Sequence, residues 1–318
     1  MDTKLQAPTP DMFETVDCAL CGSGVSLPFI EAEDDLGGKP GRFQFVRCQE
    51  CKLVYQSPRL RFKHIGAYYD DEYIAHRKKS DWGVLTSLYQ WAMGKHDRDK
   101  LALARRFVSL NHDSRVLDLG CGSGAFLALL AKEVGAHACG VDFKDLSHLP
   151  WMQTLEFRVG TLAAQAFGSR QFDLITMWHF LEHDYDPADT LARARSLLAP
   201  AGRIIIEVPR LDSLSFKLFK GRWPGLQAPQ HTVLFDAQTL PRMLEQAGLK
   251  VVQHLPYGAF PAYFYLFCGV AFTLLRGRGL NLSRAIYPYF AGQILLAPAL
   301  LFERRLNLAM QTVVCEAM

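Results

Sequence analysis

The stretch that most constrains the fold runs over residues 115–142, RVLDLGCGSGAFLALLAKEVGAHACGVD. Residues 116–119 form an apolar run of strand length. Gly120, Gly122 and Gly124 then supply a permissive turn, and Phe126, Leu127, Leu130 and Val134 recur at helical spacing before a second apolar run ends at Asp142. Strand, glycine turn, helix, strand is the opening of a doubly wound parallel sheet, whose ligand sits at the carboxyl ends of the strands. The spacing also bears on the ligand. A dinucleotide site wants GxGxxG to admit a pyrophosphate, whereas here GxGxG follows Asp118. A carboxylate in that place repels phosphate and suits a cationic ligand.

The run Asp118-Leu-Gly-Cys-Gly-Ser-Gly124 resembles motif I of the class I S-adenosylmethionine (SAM) methyltransferases. The resemblance implies a Rossmann-like α/β fold built on a seven-stranded sheet. It also implies that the glycines let the backbone approach the methionine part of SAM and that Asp142 takes the ribose hydroxyls. Cys121, Phe143, Thr161 and Trp178 would complete the cofactor wall, Thr161 standing where many relatives carry an acid for the adenine amine. Downstream, 155–159 reads as a third strand, 172–183 as a fourth with its turn, 187–198 as a helix and 202–209 as a fifth strand. Residues 235–253 give a helix and a sixth strand, and 310–317 the last, antiparallel one. The segments Phe180-Leu-Glu182-His183-Asp-Tyr-Asp-Pro187 and Pro200-Ala-Gly202, then Trp223, and Pro229-Gln-His231 ahead of Leu234-Phe235, are similar to a large bacterial subgroup of these enzymes. That subgroup acts on sugars, quinone-like rings and lipid precursors, and some members carry an N-terminal zinc ribbon.

Of the eight cysteines, Cys18 and Cys21 form one CxxC turn and Cys48 and Cys51 another. Each such turn brings two sulfurs together, so two of them close one tetrahedral zinc site with no position left for water, which makes the site structural. The remaining cysteines are scattered in apolar surroundings, which favours a reduced protein over a disulfide scaffold. Arg42, Phe43, Phe45 and Arg47 between the pairs alternate as a half-buried strand does, and the net charge of +3 is small, so nucleic acid is disfavoured as a partner. Beyond the ribbon, Tyr68, Tyr69 and Tyr73 form either an aromatic seam between domains or one wall of an acceptor site. The expected organisation is a zinc ribbon at 12–60, a helical linker with the tyrosine cluster at 61–110, and a methyltransferase domain at 111–318.

Methyl transfer from a sulfonium is an in-line displacement, and a hydroxyl or carbon acceptor must also lose a proton. His179, Glu182, His183 and His231 are the titratable candidates near the strand ends that face the sulfonium, and histidine beside a carboxylate is a sensible base. The plainer alternative is that His183 caps a helix, Glu182 supports a helix start and His231 orients a loop.

One region fits none of this. Residues 257–275, YGAFPAYFYLFCGVAFTLL, carry no charge. A second uncharged run at 285–302 follows Arg276, Arg278 and Arg284. Each is long enough by count to cross a bilayer, but Pro261, Pro288, Pro298 and Gln293 interrupt them, so a monotopic hairpin or a buried helical pair is expected. The pair forms an insertion at 259–308 between the last two strands, emerging on the cofactor face. An apolar hairpin there implies a hydrophobic acceptor, or contact with a membrane surface through 257–305 with arginines meeting headgroups. A packed lid or a homodimer interface is the alternative. The N-terminus MDTKLQAPTPDMFE has neither the basic start nor the apolar run of a secretory signal, so the expected location is cytoplasmic, peripheral to the inner face of the membrane. The expected activity is methyl transfer from SAM to a lipid-linked or amphipathic acceptor. A soluble sugar or nucleotide-sugar acceptor and a non-catalytic SAM- and zinc-binding module are the rival readings.

Overall fold

The computed structural model describes residues 5–69, 86–280, 282–300 and 305–318; Tyr73 lies outside the described residues. Five short strands come first: β1 (Phe13–Glu14), β2 (Ser26–Ala32), β3 (Phe43–Cys48), β4 (Val54–Gln56) and β5 (Arg59–Leu60). The helices α1 (Phe62–Ile65) and α2 (Thr86–Ala104) follow. The central units are β6 (Arg115–Leu119), α3 (Ala125–Glu133), β7 (His137–Asp142), β8 (Glu156–Val159), β9 (Phe172–Trp178), α4 (Pro187–Ser196) and β10 (Leu198–Pro209). Then come α5 (Leu214–Phe219), β11 (Val233–Leu234), α6 (Thr239–Gln246), β12 (Leu249–Leu255), α7 (Ala262–Leu275), α8 (Leu282–Leu300) and β13 (Met310–Ala317).

Seven strands make the central sheet in the order β12-β13-β10-β9-β6-β7-β8, with β13 antiparallel to both neighbours and the remaining pairs parallel. This is the doubly wound sheet that the glycine turn implied. Its middle strands are buried on both faces, as the unbroken runs of Val, Leu and Ile require. β10 starts four residues earlier than the apolar run suggests. Leu198 pairs with Phe172, the register shifts, and pairing resumes at Arg203 with Leu174. Gly202 sits at the shift because a Cβ there would stand 2.8 Å from the Phe172 carbonyl oxygen.

The ribbon is joined to the sheet domain by pairing, not only by packing. In the four-stranded sheet β11-β4-β3-β2, Val233 and Leu234 of β11 pair with Tyr55 and Val54 of β4. A core of Phe43, Phe45, Tyr68, Trp223 and Leu234 seals that junction.

The insertion forms two helices. α7 buries Tyr263, Tyr265, Cys268 and Phe272, and meets α8 through Tyr263 and Tyr289, whose ring centroids lie 5.2 Å apart. The turn after α7 is tied to the ribbon, Leu280 N donating to Leu36 O at 2.9 Å. The outer faces stay open: Leu274 is 77% exposed and Ile294 and Leu295 each 78%. Among the described residues, no helix is long and apolar enough to cross a membrane.

Candidate active site

A cleft of about 850 Å³ opens at the carboxyl ends of β6, β7, β8 and β9. At one end is the glycine turn. Gly120 adopts φ 71°, a region that penalises any side chain, and a Cβ there would lie 2.6 Å from the Phe180 ring. Gly120 N donates to Val141 O at 2.8 Å, and Gly122 N donates to Asp142 Oδ2 at 2.9 Å, which fixes the turn against the end of β7. The second oxygen of Asp142 accepts from Lys144 N at 3.0 Å. Burial raises its pKa, backbone donors opposing this. Asp118 is fully enclosed and accepts from Thr176 Oγ1 at 2.6 Å; burial pushes its pKa up to about 7, with Thr176 opposing. Two buried carboxylates facing a cleft favour a cationic ligand, whose charge would restore their ionised forms.

Cys121, Phe143, Thr161 and Trp178 line the same end, together with Gly120 and Gly122. Gly124 does not line it; it stands at φ 72° ahead of α3 and lets Met152 pack close. Sequence reasoning missed His96, Asp97 and Lys100, which α2 contributes to the wall. His96 is buried, its Nδ1 lies 3.1 Å from Ala259 O, and burial lowers its pKa to about 3, with the Lys100 charge adding to the effect.

The other end is aromatic. Phe260, Phe264 and Tyr265 from the root of the hairpin line the cleft, as does Tyr69. The tyrosine pair divides: Tyr68 is buried in the junction and donates to Pro40 O at 2.7 Å, while Tyr69 Oη lies 2.8 Å from His183 Nδ1.

Between the two ends lie the titratable candidates. His179 Nε2 stands 3.2 Å from Glu207 Oε1, and its Nδ1 stands 3.6 Å from Glu182 Oε1. Burial alone would depress the His179 pKa, but the two carboxylates outweigh it and hold it at about 9, so at neutral pH this ring is an imidazolium and not a base. It also adopts φ 54°, a strained conformation at a site residue. His183 and His231 are different. Burial pushes the His183 pKa down against the pull of Glu182, and burial with the neighbouring His183 pushes His231 down to about 3, so both rings are neutral. Their centroids are 4.4 Å apart, edge to face, and both line the cleft with Glu182 behind them.

Glu207 is the residue the sequence reading passed over. Its carboxylate accepts from Ala259 N at 2.6 Å, Phe260 N at 3.0 Å and Thr312 Oγ1 at 3.3 Å, besides the contact with His179. Burial would raise its pKa, but His179 outweighs that and brings it down to about 2. The available signal was a lone carboxylate inside the otherwise apolar run RIIIEV.

The four ribbon cysteines also converge. Their sulfurs lie within 4.8 Å of one another, with Cys18 and Cys51 at 3.3 Å and Cys21 and Cys48 at 3.5 Å. Gly22 and Lys52 take matching left-handed conformations just after each CxxC turn, so both knuckles have the same shape. A set of four thiols at this spacing fits a tetrahedral zinc ion.

Sheet order, glycine turn and paired carboxylates together define a class I SAM-dependent methyltransferase fold. The sequence model of the family described as "Methyltransferase domain" matches residues 93–254, about half of the chain, and the chain belongs to that family. Among curated proteins, the chain is 33% identical over 151 residues to a ubiquinone biosynthesis O-methyltransferase of Aeromonas salmonicida, covering 43% of this chain and 63% of that protein. Its likeness to the enzyme of the same name from Ruegeria pomeroyi is 28% over 173 residues, covering 50% and 67%. Two further relatives of that name are matched over 44% and 42% of their lengths. Among solved structures, a TehB-like SAM-dependent methyltransferase from Corynebacterium glutamicum aligns with TM-score 0.42 at 14% identity, covering 70% of this chain and 88% of that one.

Proposed function

We propose that the protein transfers the methyl group of SAM to an oxygen of an amphipathic or lipid-linked acceptor at a membrane surface. The observation that carries this reading is the continuity of one cleft from Asp118, Gly120 and Asp142 to Phe260, Phe264 and Tyr265 at the root of the apolar hairpin. SAM fits the first end because its cationic methionine part can meet the Asp118 carboxylate and its ribose hydroxyls the Asp142 carboxylate. An apolar acceptor fits the second, where aromatic rings exclude water and Tyr69 offers a hydroxyl for orientation. The names of the curated relatives, O-methyltransferases of ubiquinone biosynthesis, support oxygen as the acceptor atom. Leu274, exposed next to Arg276 at the end of α7, and Ile294 and Leu295, exposed on α8, support docking on lipid, with the exposed Arg276 and Arg278 meeting headgroups.

In the reaction the acceptor oxygen attacks the methyl carbon in line with the sulfur, the methyl–sulfur bond breaks, and the hydroxyl proton must leave. His183 and His231, with Glu182 behind them, handle that proton, because the two rings line the cleft between its ends and are unprotonated. His179 and Glu207 position the hairpin root. Zinc held by Cys18, Cys21, Cys48 and Cys51 stabilises the ribbon, on which β11 and the turn after α7 lean.

The test is incubation of the purified protein with methyl-labelled SAM and a bacterial extract, followed by partition between organic and aqueous phases. Label in the organic phase supports the amphipathic acceptor. Label confined to the aqueous phase replaces it with a soluble sugar.

A further inference from the structure

We propose that Glu182, His183 and His231 hold a divalent transition-metal ion of their own, distinct from the ribbon zinc, and that this ion binds the acceptor oxygen. One ligand atom from each of the three lies within 4.8 Å of the others. Glu182 is 1% exposed, yet neither of its carboxylate oxygens has a hydrogen bond; the nearest nitrogens, His179 Nδ1 and His231 Nε2, stand at 3.6 and 3.9 Å. Those approaches are ion pairs and not hydrogen bonds, so among the described residues both oxygens of this buried carboxylate keep their acceptor capacity, where such groups are normally hydrogen-bonded.

The two histidines are supported as metal-binding imidazoles are. His231 Nδ1 lies 2.8 Å from Gly225 O; His183 Nδ1 lies 3.1 Å from Gln230 O and 2.8 Å from Tyr69 Oη, whose own proton points to Gln230 O at 3.5 Å, so the Tyr69 oxygen is left to accept. A carbonyl only accepts, so in each neutral ring the proton is assigned to Nδ1 and the lone pair is left on Nε2. A backbone carbonyl fixing the far nitrogen is the support metal-ligating histidines usually receive. Two imidazoles and one carboxylate suit zinc or another first-row dication and leave a coordination position open. The open side is the cleft, which both histidines line beside Tyr69.

The inference rests on the methyl-transfer reading and specifies its proton step: with their lone pairs on the ion, Glu182, His183 and His231 act on the acceptor proton through the metal and do not take it up themselves. A metal-bound hydroxyl is more acidic than a free one. The acceptor loses its O–H proton to water, its oxygen bonds to the methyl carbon, and the methyl–sulfur bond breaks with its electron pair going to sulfur, leaving a neutral thioether.

Metal content of the full chain, after equilibration with Zn2+ and dialysis, decides the matter. Two zinc ions per chain are expected for the wild type, falling to one in Glu182→Gln and in His231→Gln, with thermal melting and SAM binding checking that the variants fold. X-ray absorption at the zinc edge of the wild type gives a readout independent of folding in the variants: a mixed sulfur and nitrogen/oxygen shell is expected. One ion per chain in the wild type, or an all-sulfur shell, overturns the second site while leaving SAM binding and methyl transfer untouched. Failure of SAM to bind would instead remove the methyltransferase reading.

Discussion

Replacing Glu207 by Gln should loosen the hairpin root more than it disturbs the sheet. The wild-type carboxylate receives four donors, Ala259 N, Phe260 N, Thr312 Oγ1 and His179 Nε2, and it is fully buried. Glutamine keeps the volume but offers one acceptor oxygen, and its amide nitrogen is a donor that must face either Ala259 and Thr312 or Phe260 and His179. Removing one partner of a buried ion pair costs about 3–5 kcal/mol, and the retained amide oxygen places this case at the lower end, about 3 kcal/mol. Urea unfolding at neutral pH should show that loss. Native-state hydrogen exchange should show the amides of Ala259 and Phe260 losing protection while those of β6 and β9 change only by the global destabilisation. Stability within about 1 kcal/mol of wild type, with both amides still protected, would refute the assignment of Glu207 as the clamp. Gly258→Ala attacks the same joint from the other side, since its Cβ would stand 2.5 Å from the Glu207 carboxyl carbon.

Other expectations follow from the same geometry. Gly120→Ala places a methyl group 2.6 Å from Phe180 at φ 71°, and should weaken SAM binding by roughly tenfold or more in calorimetry, strain of this kind costing about 1–3 kcal/mol. His96 has a folded pKa of about 3, below its unfolded value of about 6.5. Its contribution is present above pH 6.5 and lost as pH falls, so by pH 5 this ring alone should have cost about 2 kcal/mol. His231 and His183, also depressed, add to the slope, so His96→Gln should lessen it by the His96 share and leave theirs in denaturation curves at a series of pH values. Ile294→Glu with Leu295→Glu, both on the open face of α8, should reduce partition onto anionic vesicles by roughly a hundredfold, from about 3 kcal/mol of lost apolar burial, with SAM affinity unchanged.

The local parts of the account were legible in the sequence. The run from Val116 to Asp142 carries its own strand, turn and helix signals, β13 falls on 310–317 as read, and the cysteine pairs announce their convergence by spacing alone. What the sequence hid is non-local. That β11 would complete the ribbon sheet depends on two residues, too few for a period. Tyr68 and Tyr69 are neighbours with opposite fates, because only one side of a short helical turn reaches His183. The protonated state of His179 could not be read from its neighbours in sequence, since Glu207 arrives from another strand, 28 positions on.

The central claim is that the cleft binds SAM between Asp118 and Asp142, and calorimetric titration of SAM into wild type, Asp142→Asn and Gly120→Ala tests it most directly. Saturable one-to-one binding by the wild type, weakened at least tenfold in both variants while their folds persist, is the predicted result. Absence of binding to the wild type, or equal affinity in all three proteins, would contradict it.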